Sequence, residues 1–147
     1  MIAHRPNLIP VVAALALSAA PALAVDATVV EFDGSFEDAT FAVENEILDR
    51  GLVIDYVAHS GEMLARTASD VGSDVKLFDG ADIFVFCSAV QSRKVLEINP
   101  ANIAYCPYSI FVTDRAGKVE IGFRNFPQGE MQQIQKLLDA IIHSAAQ

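Results

Sequence analysis

The amino-acid sequence predicts an α+β fold, a mostly antiparallel sheet with helices on one face. Three observations carry this. The order of hydrophobic patterns is strand, helix, four strands, helix, with short extra helices between. Lys118–Arg124 (KVEIGFR) alternates residue by residue, as a half-buried antiparallel strand does. Met131, Ile134, Leu137, Leu138, Ile141 and Ile142 recur at helical spacing and close the chain on an amphipathic helix that begins near Gly129.

Before the first of these elements comes a segment of a different kind. His4 and Arg5 form a short basic region, Leu8–Ala20 is almost wholly apolar, Pro21 breaks the run, and Ala22-Leu23-Ala24 supplies the small residues of a signal-peptidase site. Residues 1–24 therefore read as a secretory signal, cut after Ala24, and residues 25–147 as one domain. The expected location is periplasmic or secreted. The apolar run falls short of the roughly 20 residues a membrane span needs, and no later segment is longer, so no membrane partner is expected after cleavage. All 19 acids but only nine of the ten Lys and Arg lie after residue 24, which leaves the mature chain at −10. That balance excludes a nucleic-acid or anionic-lipid surface and suits a cationic ligand.

Within the domain, Ala27–Phe32 is rich in β-branched residues and reads as the first strand. Asp33-Gly34 turns the chain, Ser35 caps a helix with Glu37 and Asp38 in its first turn, and Phe36, Ala39, Val43 and Ile47 keep helical spacing up to a stop at Gly51. Leu52–His59 is a second strand. Glu62–Val71 is a short helix bounded by Ser60-Gly61 and Gly72. Ala81–Cys87 and Tyr108–Thr113 are the next strands, with a helix over Ser88–Ile98 between them, and Asp114–Gly117 is a hairpin turn.

The two cysteines bracket that helix. If the strands at 81–87 and 108–113 ran parallel, Cys87 and Cys106 would lie about 20 Å apart, at opposite edges of the sheet. Antiparallel pairing brings both to one end, so any joint chemistry depends on it.

FCSA at 86–89, INPANIAYCPYSIFV at 98–112, GKVEIGFR at 117–124 and SGEMLARTASDVG at 60–72 together resemble the domain of unknown function 302 family, in the branch with Phe-Cys-Ser and Cys-Pro-Tyr motifs. The resemblance covers nearly all of the mature chain. It implies a TATA-box-binding-protein-like fold whose four-stranded meander makes the cysteine strands antiparallel, and it implies no reaction.

Several readings of the cysteines stay open. A Cys87–Cys106 disulfide would close a loop of about 20 residues and contribute roughly 3 kcal/mol, in a compartment that permits it. A soft metal ion such as copper would take both thiolates, with His59 or Met63 completing the site, since one ends a strand and the other opens a helix, so that both could reach the same edge. A reactive thiol at Cys87 would draw on the helix that follows it, although no Cys-x-x-Cys pair is present. Two inert thiols are the bland alternative. Asn99, Tyr108 and Arg124 are candidate ligand contacts; Asn99-Pro100 also serves as a turn, Tyr108 as core with its hydroxyl at the rim, and Arg124 as an outward-facing cation. No Ser-His-Asp set, carboxylate pair or glycine-rich phosphate loop stands out, so catalysis is not expected.

The expected function is an exported binding or accessory module, with a metal-linked site as its sharper form. The alternatives are a thiol or redox protein and a protein-interaction module. The last rests on the two strands around the cysteines being apolar on both faces. Phe84, Phe86 and Phe111 are expected together on the helix-free face, covered by the 62–71 helix, by the loop around Pro107 or by a second copy in a homodimer.

Overall fold

The computed structural model describes residues 26–147; the expected signal segment and its cleavage site lie outside them. Five strands form one sheet in the order β1-β5-β4-β3-β2, every neighbouring pair antiparallel. They are β1 (Ala27–Glu31), β2 (Val53–Ala58), β3 (Gly80–Cys87), β4 (Tyr108–Arg115) and β5 (Lys118–Arg124). The helices are α1 (Phe36–Asp49), α2 (Ser60–Thr67), α3 (Ala89–Ile98) and α4 (Gln132–Ala145). Strands β2 to β5 make the meander, and β1 returns to pair with β5, an α+β fold of the expected order.

Local chemistry sets the ends. Ser35 Oγ accepts from the Asp38 N–H, and Asp38 reaches back to the Ser35 N–H, a reciprocal cap for α1. Gly51, at a φ of 69°, leads the chain out of α1. The β4–β5 turn is tighter than expected. The strands run on to Arg115 and resume at Lys118, and Ala116 and Gly117 take φ of 56° and 80°. The Asp79 and Asp114 carboxylates accept from the Ala116 and Gly117 N–H groups, at 2.8 and 2.9 Å, and hold the turn. The expected 62–71 helix divides into α2 and a 3-10 turn at Ser69–Val71, and α4 starts at Gln132, three residues beyond Gly129.

Helices α1 and α4 pack on each other and on one face of the sheet. Ala39, Val43 and Ile47 of α1 and Ile134, Leu138, Ile141 and Ile142 of α4 meet Ile110, Val112, Ile121 and Phe123 in one core. The expected phenylalanine cluster is not formed. Phe84 and Phe86 pair with Ile110 and Tyr108, so they face the helices and are buried. Phe111 pairs with Ile83 on the other face. Alternation along a strand separates its residues into two sets, but only the register with the next strand decides which set meets the helices.

Candidate functional site

One end of the sheet collects the end of β3, the start of β4 and the end of β5. Phe86 pairs with Tyr108, so Cys87 and Cys106 approach that end from opposite chain directions. The segment between them is pinned at several points. Ser88 Oγ accepts from the Gln91 N–H at 3.3 Å and caps α3. Asn99 Oδ1 accepts from the Ala101 N–H at 3.0 Å and starts the 3-10 turns Pro100–Tyr105. Buried Asn102 donates through Nδ2 to the Val95 carbonyl at 3.0 Å and to Glu130 at 3.2 Å, which ties the segment to the approach to α4. Cys106 follows, joined to Pro107 by a cis peptide.

The result is a compact group of sulfur and hydroxyl side chains. Both thiols are free and half-buried. Ser92, on the inner side of α3, lies 2.9 Å from the Tyr108 hydroxyl and 3.9 Å from Cys106 Sγ. Burial pushes the Cys87 thiol up to about 11, and the neighbouring Cys106 side chain adds to the rise, while the Tyr108 main chain opposes it. The Tyr108 phenol is likewise raised by burial; its hydrogen bond with Ser92 works against this, and both cysteines add to it. At neutral pH Cys87 is therefore a protonated thiol and not a poised nucleophile. Two adjacent soft donors can instead hold one soft cation after losing their protons, or join as a disulfide.

His59 and Met63 do not belong to this group. Val53 pairs with Cys87 and Ala58 with Ile83, so the end of β2 lies beside the start of β3. Four residues of strand, about 13 Å, separate that level from Cys87. Neither His59 nor Met63 thus joins the two thiols as the expected further ligand, because antiparallel pairing sends β2 away from the cysteines. Among the described residues no group of three or more His, Cys, Asp or Glu is placed to hold a metal ion. His59 instead meets Asp82, with Nδ1 2.9 Å from Oδ1. That hydrogen bond and charge raise its pKa above the ordinary 6.5. The pair borders a cleft of about 390 Å³ with Phe36, Glu37 and Asp79. Met63 lies beside His59, and the two line a groove of about 340 Å³ with Tyr56 and Arg66.

The remaining candidates divide. Tyr108 is 2% exposed and is part of the core, its hydroxyl turned to Ser92 and not to the rim. Asn99 uses its side-chain oxygen on the turn. Arg124 is exposed at the same end as the cysteines, on an open cleft of about 410 Å³ shared with Asp26, Tyr105 and Phe126. Sequence reasoning missed Ser92 and Asp82. Each had a signal: a serine on the inward stripe of α3, and an acid inside an otherwise apolar strand, where a polar side chain needs a partner.

Comparisons agree with this fold. The model of the family described as domain of unknown function DUF302 matches residues 28–145. The crystal structure of an uncharacterized conserved protein DUF302 from Bacillus stearothermophilus is similar, with a TM-score of 0.67 at 18% identity, over 83% of this chain and 99% of that one. At that identity the likeness speaks for fold alone. No curated protein matches the chain.

Proposed function

We propose that this chain, which belongs to the DUF302 family, is an exported, non-catalytic binding module whose working site is the Cys87–Cys106 thiol pair. The ligand is a thiophilic monovalent cation, Cu(I) in the first instance, held between the two sulfurs. The observation that carries the reading is the placement of both thiols at one end of the sheet. Cys87 comes directly after Phe86 and Cys106 two residues before Tyr108, the cross-strand partner of Phe86, near enough that Cys106 adds to the rise in the Cys87 pKa. Cu(I) accepts two thiolates as a sufficient ligand set and prefers soft donors to the oxygens of Ser92 and Tyr108. The strongly acidic chain favours a cation over an anion. Export is supported by the basic, apolar and small-residue order of residues 1–24. Binding releases the thiol protons, so affinity rises with pH.

The test is competition for Cu(I) between the reduced protein and a chromophoric chelator. One equivalent is expected to be retained. Cys87→Ser and Cys106→Ser are each expected to lose it, and His59→Ala and Met63→Leu to keep it. Retention by both serine variants, or none by the native protein, overturns the reading. A protein recovered from the exporting cell wholly as the Cys87–Cys106 disulfide, and unable to take Cu(I) after reduction, assigns the pair a structural role instead.

A further inference from the structure

The sheet face opposite α1 and α4 has one covered end. Helix α2 meets it where Gly61 packs against Ala81 of β3. The half made by β1, β5 and β4 carries side chains in a regular order. Val29, Gly122, Phe111 and Ile83 lie in one row across the strands. Val29 is 42% exposed. Phe111 lies across Gly122, where any Cβ would stand 2.5 Å from its Cζ. Two residues along β5 in one direction is Arg124, and two in the other is Glu120, directly opposite Glu31 of β1. Side-by-side carboxylates at one cross-strand position repel. Lys118 pairs with Glu120 at 2.6 Å, while Glu31 and Arg124 make no ion pair among the described residues.

We infer that this half-face joins two copies of the chain. A two-fold axis lying along the Val29–Gly122–Phe111 row, between two facing sheets, maps each row position onto itself and exchanges the flanks. Arg124 of one copy then stands over Glu120 and Glu31 of the other, twice, while the apolar rows meet in the middle. The spacing agrees. Arg124 and Glu120 each lie two residues, about 7 Å, from the axis, and facing sheets pack about 10 Å apart, within reach of two long side chains. The face is thus self-complementary in charge as well as apolar at its centre, which selects a second copy over an unrelated chain.

Sedimentation of the reduced protein at tens of micromolar tests it. A dimer is expected. Arg124→Glu and Glu120→Arg should each weaken it at least ten-fold, with circular dichroism unchanged, and the double exchange should restore it. Val29→Asp, exposed and at the axis, should give a monomer. A native monomer overturns the inference and leaves the face to a different partner. So does a dimer indifferent to Arg124→Glu and Val29→Asp, or a double exchange that fails to recover.

Discussion

Removing the Tyr108 hydroxyl tests how the end of the sheet is held. In Tyr108→Phe the ring stays in the core, but Ser92 loses its 2.9 Å partner and keeps only the Cys106 sulfur at 3.9 Å. Ser92 is 9% exposed and Tyr108 2%, so neither hydroxyl can turn freely to water. A net hydrogen bond is worth about 1 kcal/mol, and a buried group left unpaired costs about 1–3 kcal/mol. Tyr108→Phe and Ser92→Ala are each expected to lose about 1–2 kcal/mol, the second being the dearer if the phenol finds no water. The double variant removes both groups and leaves nothing stranded, so it should lose less than the sum, by about 1 kcal/mol. Urea unfolding under reducing conditions reads this, as does a fall in Tm of about 3–6 °C for each kcal/mol. Additive losses, or two single variants within about 0.3 kcal/mol of the native protein, would refute the Ser92–Tyr108 contact and with it the local account of the site.

Further outcomes follow from the same geometry. Alkylation of Cys87 in the reduced protein should be slow at pH 7.5, with its rate rising toward a midpoint near 11; a midpoint at or below 9 contradicts the burial argument. Because the folded state raises that pKa from 9.0, it holds a proton the unfolded chain has lost, and the stability of the reduced protein should fall as pH climbs from about 9 to 11. His59 should titrate above 6.5 by NMR and return toward 6.5 in Asp82→Asn. The raised pKa stabilises the fold below about pH 6.5, and that contribution is lost as pH rises through the folded value; a native shift identical to the variant's sinks the pair. Gly122→Ala should destabilise by about 1–3 kcal/mol in thermal melts, since its Cβ would meet the Thr28 carbonyl oxygen at 2.7 Å as well as the Phe111 ring; a neutral result would show that β1 and Phe111 give way without cost.

Elements were legible where one residue decides locally. Ser35 as cap, Gly51 as stop and the alternation of Lys118–Arg124 need no knowledge of the rest of the chain. What was not legible depended on register. Phe84 and Phe86 occupy alternate positions in a strand apolar on both sides, and nothing within Ala81–Cys87 says which side meets α1 and α4. That follows from their pairing with Ile110 and Tyr108, which in turn follows from the length and pinning of the segment between the cysteines. The grouping of Cys87 with Cys106 required only that β3 and β4 be antiparallel, as the family resemblance implies. The grouping of His59 and Met63 with them treated "end of a strand" as one place, whereas antiparallel neighbours end at opposite edges of the sheet. Arg124 was legible as an outward cation, but its relation to Glu120 and Glu31 appears only when β1 is laid against β5.

X-ray absorption of the Cu(I)-loaded protein reads the ligands of the bound metal. The copper is expected to have two sulfur neighbours and no nitrogen, a spectrum unchanged in His59→Ala and lost in Cys87→Ser. A nitrogen scatterer from His59, or the same spectrum in the serine variant, would contradict that expectation.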